Sequence, residues 1–127
     1  MAAIDVQALS QWLAPLDVLP LECDGMTRVI SALLLREGIE HRACHGALRL
    51  PHVGDIGLHC WIQFPDGVVC DYRARMWLGK DAPHGLFHPE PGVVYEAHGE
   101  LGQPIPPLIF RVLAGCEIAD YPSLDGR

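Results

Sequence analysis

Basic side chains are scarce in this chain of 127 residues: Lys and Arg number 9 against 16 Asp and Glu, and the formal net charge at pH 7 is −7. Binding to nucleic acid draws on clustered Lys and Arg that neutralise phosphates, so a nucleic-acid partner is not expected, nor is docking on an anionic membrane. Long apolar runs are also missing, and nothing approaches the roughly 20 residues needed to span a bilayer. The N-terminal stretch carries no basic region followed by an apolar core and a cleavage site. No secretory signal is expected, and the expected location is the cytoplasm, with signal-independent secretion left open. There is no GxSxG, no P-loop and no GxGxxG. Although the chain has 7 His and 5 Cys, it has no CxxC, HExxH or HxH spacing. The pairs Cys44-His45 and His59-Cys60 fall in expected strands, where adjacent side chains point to opposite faces. Neither a metal site nor a cofactor is expected.

The five cysteines (Cys23, Cys44, Cys60, Cys70 and Cys116) form an odd set with no framework-like spacing. In a reducing compartment they are expected to be free thiols, most of them packed as small hydrophobes. With half its residues hydrophobic, and with no repeat, low-complexity tract or linker, the chain is expected to fold as one domain over residues 1–127.

Local patterns place the elements. Asp5 can cap a first short helix that turns Val6, Leu9 and Leu13 to one side and stops before Pro15. Residues 24–37 carry the main helix, with Met26, Val29, Ile30 and Leu33 at helical spacing and further leucines widening the apolar surface, so it should lie buried at the centre of the fold. Asp24 is the expected N-cap and Gly38 the C′ residue. Residues 39–50 should form a strand, residues 51–57 a loop, and residues 58–74 a hairpin. Beyond it, a short strand is expected around Val94 and Tyr95, another over residues 107–115, and a loose tail from Tyr121.

The hairpin register follows from side-chain sorting. A three-residue Pro65-Asp66-Gly67 loop, with Gly67 left-handed, pairs Phe64 with Val68. One face then carries Leu58, Cys60, Ile62, Phe64, Val68, Cys70, Tyr72 and Ala74, and the other carries His59, Trp61, Gln63, Val69, Asp71 and Arg73. A slip of one residue would scramble both sets. In this register His59 and Asp71 are diagonal neighbours about 7–8 Å apart, a span that an imidazole and a carboxylate can bridge.

These positions carry the chemistry. Asp is a poor strand former and is costly to bury alone, so Asp71 needs a partner: His59, or a cation such as Arg73 or Arg75. Cys23 lies at a helix N-terminus, where the dipole and free N–H groups favour a thiolate, while the adjacent Asp24 opposes it. Cys23, His59 and Asp71 thus supply a nucleophile, a base and an orienting group. Trp61 and Arg73, on the same face, are the candidates for substrate contact.

The order of a Cys at a helix start, an Ala-Leu-Leu…Gly-Ile…Arg stretch, a His-x-Trp strand and an Asp in the next strand resembles the transglutaminase-like superfamily, whose core is similar to that of papain-like cysteine proteases. Here the matching segments are CDGMTRVISALLLREGIEHRA, HCW and DGVVCDYR, over roughly residues 21–75. The resemblance implies an α+β fold, a central helix packed against a small antiparallel β-sheet. It implies a Cys23 nucleophile, His59 as general base and acid, and Asp71 orienting His59. A thioester intermediate follows, with an oxyanion hole using the Cys23 backbone N–H and, by analogy with papain-like enzymes, the upstream Gln11. Two features depart from the pattern: the chain is short, and Asp24-Gly25 stands where an aromatic residue usually follows the nucleophile. The expected function is a thiol-dependent amide or acyl enzyme (peptidase, deamidase or transferase) acting on a protein, peptide or small amide or acyl substrate. The alternative is an inactive binding module on the same fold.

Overall fold

A computed structural model describes residues 4–124 of the chain as an α+β fold with four α-helices and one five-stranded antiparallel sheet. Helix α1 (Val6–Leu13) begins where Asp5 accepts the Ala8 N–H at 3.0 Å, buries Leu9 and Leu13, and passes into a 3-10 turn containing Pro15. Helix α2 (Cys23–Arg36) is the central helix. Its N-cap is Glu22 rather than Asp24, which sits inside the first turn and bonds the next N–H, that of Gly25, at 2.8 Å. Its C-terminal end is closed by Gly38 at φ +73°, a conformation that only glycine adopts without strain.

The strands are β1 (Arg42–Leu50), β2 (Gly54–Gln63), β3 (Val69–Asp71), β4 (Gly85–Phe87) and β5 (Val94–Glu100), in the spatial order β4-β3-β2-β1-β5. The expected loop over residues 51–57 is shorter than expected. Only residues 51–53 turn, and Gly54 and Ile56 pair with Leu50 and Leu48, because burying Ile56 against Leu48 and Leu50 extends the ladder. The β2–β3 register is the one that side-chain sorting predicts. Ile62 faces Cys70, Gln63 faces Val69, Phe64 N–H bonds Val68 O at 2.9 Å, and Gly67 is left-handed at φ +89°. Between β3 and β4 lies the short helix α3 (Ala74–Leu78), and α4 (Pro107–Ala114) follows β5.

The main core lies between the helices and one face of the sheet. Met26, Val29, Ile30, Leu33 and Leu34 of α2 meet Ile62, Phe64, Val68, Cys70 and Tyr72, with Leu9, Leu13 and Phe110 closing the sides. The other face is covered too: Cys44, Trp61 and Val69 pack under Phe87 and Tyr95, beside a cluster of Leu48, Leu50, Ile56, Ala74 and Ala82. Three members of the expected apolar face leave the main core. Ala74 belongs to this second cluster, Leu58 is exposed beyond the end of β3, and Cys60 is buried outside the main cluster.

Two expectations for the C-terminal part are corrected. Residues 107–114 form a helix and not a strand: Pro107 suits the first helical turn, Gly115 ends the helix at φ +79°, and Phe110 and Ala114, four residues apart, are its buried pair. The segment from Tyr121 is no loose tail as far as Leu124. Arg36 donates to the carbonyls of Ile118, Tyr121 and Pro122, the Trp12 indole donates to Pro122 O, and the Tyr121 hydroxyl donates to Trp12 O. The last three residues of that expected tail lie outside the described residues. No helix among the described residues is long and apolar enough to cross a membrane.

Candidate functional site

Asp71 ends β3 and starts the turn into α3, and both roles use its carboxylate. Oδ1 accepts the backbone N–H groups of Arg73 (2.9 Å) and Ala74 (3.0 Å), a local bonding pattern that Asp side chains favour. Oδ2 is left to point along the sheet, where it accepts His59 Nε2 at 2.7 Å and the Tyr95 hydroxyl at 2.8 Å. The cationic partner considered for Asp71 is not used, since the Arg73 guanidinium turns away to Asp17.

A carboxylate only accepts, so the 2.7 Å contact fixes the proton of His59 on Nε2. The ring is fully buried and stacks on Trp61, with centroids 6.2 Å apart and planes 27° apart. Its other nitrogen, Nδ1, is buried and makes no well-aligned hydrogen bond, and the Cys23 thiol is the group beside it. Neutral His59 therefore presents a lone pair toward a thiol.

Cys23 is the first residue of α2 and is half-buried, so its N–H lies outside the helical ladder and the helix dipole acts on its sulfur. Burial alone would push the thiol up. The contact with His59 and its charge outweigh that, aided by the backbone N–H and thiol of Cys60, and Cys23 is held below its ordinary value. The Cys60 N–H is free for this contact because β3 stops at Asp71 and leaves that side of β2 without a partner strand. Burial would likewise push His59 down, but the bond to Asp71, the contact with Cys23 and both charges hold it up at about 9. The pair thus favours thiolate and imidazolium over thiol and imidazole, and the opposition expected from Asp24 does not prevail. Cys60 behaves oppositely: burial first, then the Cys23 charge, push its thiol up to about 12, so it stays protonated and serves as a donor.

The structure brings Cys23, His59 and Asp71 together. It does not add the other expected residues. Trp61 is fully buried beneath Tyr95 and cannot touch a substrate; it is the surface on which His59 rests. Arg73 is nearly buried, although it lines part of the groove described below. All its guanidinium nitrogens are spent, Nε on Leu21 O, Nη1 on Asp17 Oδ1 and Tyr72 O, and Nη2 on Asp17 O and Leu19 O. It clamps the connection that delivers Cys23. Gln11 lies on the exposed side of α1 and takes no part in the hydrogen bonds of the site.

Three contributors were missed. Tyr95 arrives from β5, at the far edge of the sheet, and only the period-2 pattern of its segment hints that it faces inward. Cys60 was read as core alone. Gly46 pairs directly with His59, and a Cβ there would overlap the Glu96 carbonyl oxygen, so β5 can approach only because residue 46 has no side chain.

A groove of about 580 Å³ runs between the segment that leads into Cys23 and the segment that follows Asp71, and neither of those two residues lines it. One wall is the segment that leads into Cys23, with Leu19, Leu21 and Glu22; the other follows Asp71, with Tyr72, Arg75 and Met76. Among the described residues no group of three or more His, Cys, Asp or Glu is placed to hold a metal ion. A scan against protein-family models, a search of curated proteins and a search of solved structures each return no match.

Proposed function

We propose that this chain is a thiol-dependent amide or acyl enzyme on a transglutaminase-like, papain-related core. The Cys23 thiolate attacks a substrate carbonyl carbon, forming an S–C bond, while charge gathers on the carbonyl oxygen within reach of the free N–H at the start of α2. His59 Nδ1, carrying the proton taken from the thiol, delivers it to the leaving amine as the C–N bond breaks. Water or a second amine, deprotonated by the same nitrogen, then resolves the thioester and returns the thiol. Asp71 keeps the other ring proton on Nε2, so that Nδ1 is the atom that exchanges protons.

The observation that carries this reading is the His59 ring, tied through Nε2 to Asp71 with Nδ1 left beside Cys23. His84 also leaves its Nδ1 buried and unpaired, but only His59 has a thiol beside it and a carboxylate on its other nitrogen. The test is the pH dependence of iodoacetamide alkylation at each cysteine, followed by peptide mass spectrometry in wild type and His59→Ala. Half-buried Cys116 is the internal reference. Cys23 is expected to react selectively well below pH 8.5, the ordinary thiol value, and to lose that selectivity in the variant. A Cys23 indifferent to His59 would return the chain to the binding-module reading.

A further inference from the structure

The early end of β3 brings a second thiol to Cys23. Phe64 N–H bonds Val68 O and Ile62 faces Cys70, so alternate residues of β2 turn their main-chain groups toward β3. Cys60 is the next residue in that series, but β3 stops at Asp71 and offers it no partner. The first residue of α2 fills the gap, and the N–H and the thiol of Cys60 both meet the Cys23 sulfur. Strand alternation agrees with the contact, because it puts the Cys60 side chain on the α2 side of the sheet with Ile62 and Phe64. Both cysteines are free, and they differ in access: Cys23 is half-buried, whereas Cys60 is only 7% exposed. The acyl chemistry is complete with Cys23, His59 and Asp71, and nothing in it requires a second thiol.

We propose that Cys23 and Cys60 form a hydroperoxide-reactive pair, in which Cys60 closes a Cys23–Cys60 disulfide that blocks the nucleophile reversibly. The Cys23 sulfur attacks the terminal oxygen of the hydroperoxide. An S–O bond forms, the O–O bond breaks, and the departing oxygen takes the proton held on His59 Nδ1. Cys23 is left as a sulfenic acid, and the hydroperoxide leaves as an alcohol, or as water when it is hydrogen peroxide. The Cys60 sulfur then attacks the Cys23 sulfur: the S–S bond forms, the S–O bond breaks, and hydroxide departs with the Cys60 proton as water. Two thiols have thereby given two electrons to one peroxide. The order of the steps follows from the site. Burial first, and then the Cys23 charge, keep Cys60 protonated by pushing its thiol up to about 12. Oxidation to the neutral sulfenic acid removes that charge, so Cys60 ionises more easily once its target exists. That the disulfide switches off an acyl enzyme rests on the thiol-enzyme reading.

The experiment treats the reduced full chain with equimolar hydrogen peroxide, caps the remaining thiols with N-ethylmaleimide, and maps peptides by mass spectrometry without reduction. The wild type should lose two hydrogens in mass, yield the Cys23 and Cys60 peptides joined, and recover both thiols on treatment with dithiothreitol. Cys60→Ala should instead hold Cys23 as a sulfenic acid that dimedone traps and that excess peroxide carries on to sulfinic acid. Sulfinic acid at Cys23 forming as fast in the wild type as in Cys60→Ala overturns the assignment. So does a disulfide that joins any other pair, or a wild type that forms none. Failure of the underlying reading looks different, and iodoacetamide on the same reduced sample detects it. Selective, His59-dependent alkylation of Cys23 without the disulfide ends the redox pair alone. The disulfide without that selectivity ends the thiol-enzyme reading alone.

Discussion

The hydroxyl of Tyr95 donates to Oδ2 of Asp71 at 2.8 Å, the same oxygen that receives the Nε2–H of His59 at 2.7 Å. The two donors compete for one atom, and the phenol is the weaker claimant because its own ionisation is suppressed, by burial first and then by the Asp71 charge. Its bond draws charge away from the carboxylate and limits the pull of Asp71 on His59. Tyr95→Phe removes the bond without removing the ring that covers Trp61. The variant should lose about 1.5–3 kcal/mol of stability, the range for a hydrogen bond to a charged group. It should also move the alkaline limb of Cys23-dependent activity upward. Urea denaturation and the pH profile check the two effects separately.

The pH dependence of stability has a sign that depends on Cys23. His59, raised from 6.5 to about 9, alone would contribute stability that is full below 6.5 and lost as pH rises through about 9. Cys23, lowered from 9.0, alone would contribute stability that is full above 9.0 and lost as pH falls through its folded value. Between these limits the folded pair has moved one proton from sulfur to nitrogen, while the unfolded chain keeps it on sulfur; the proton counts match and the slopes cancel. Wild type should therefore be nearly flat from pH 7 to pH 8.5. Cys23→Ser removes one side of the balance together with the Cys23 contact and charge that help hold His59 up, leaving Asp71 to raise it; its unfolding free energy should fall with rising pH above 6.5, by up to about 1.4 kcal/mol per unit. A flat profile in Cys23→Ser would mean that Asp71 alone does not hold His59 protonated.

Arg73 ties together the residues before Cys23 and the residues after Asp71. Its bonds to Leu19 O, Leu21 O and Asp17 hold the approach to Cys23, and its bond to Tyr72 O holds the exit from β3. Arg73→Ala should cost about 1–3 kcal/mol, because the carbonyls of Asp17, Leu19, Leu21 and Tyr72 lose a donor at once while Asp17 keeps His84. Arg73→Lys should recover little of this, since an ammonium cannot meet acceptors spread around a planar fork. Guanidinium denaturation of the two variants tests this, and recovery of most of the loss by lysine would show that charge alone matters there.

The parts of the fold that were legible in the sequence are those where one local rule had no competitor. Gly67 and the two alternating faces fixed the β2–β3 register, and with it the His59–Asp71 contact. Gly38 marked the end of α2 for the same reason. Alternation shows which face a residue takes but not how deeply the face is covered. Trp61 and Arg73 were thus read as substrate contacts, whereas Phe87 and Tyr95, strands away in sequence, roof one and Asp17 closes over the other. Residues 107–114 misled because Ile109, Phe110 and Val112 favour a strand, while the Pro107 and Gly115 boundary signals favour the helix that forms. Tyr95 was beyond reach because β5 joins the sheet beside β1, an order that local pattern does not encode.

Gly46 joins that topology to the chemistry. It pairs with His59 on one side and with Ala97 on the other, at a bulge where β5 carries His98 as an extra residue. A Cβ at position 46 would overlap the Glu96 carbonyl oxygen and lie 2.9 Å from the His98 backbone nitrogen. Both obstacles are main chain inside a sheet, so neither can rotate away as a side chain would. The only relief is to push β5 outward, and β5 carries Tyr95. Gly46→Ala should therefore cost about 1–3 kcal/mol in stability from overpacking. It should also loosen the Tyr95–Asp71 bond and blunt the low-pH reactivity of Cys23, although residue 46 is two strands from Asp71. Paired measurements of urea stability and Cys23 alkylation on Gly46→Ala decide it. Lost stability with unchanged alkylation would leave the glycine a purely structural role, and loss of both would make the β1–β5 approach part of the site's positioning.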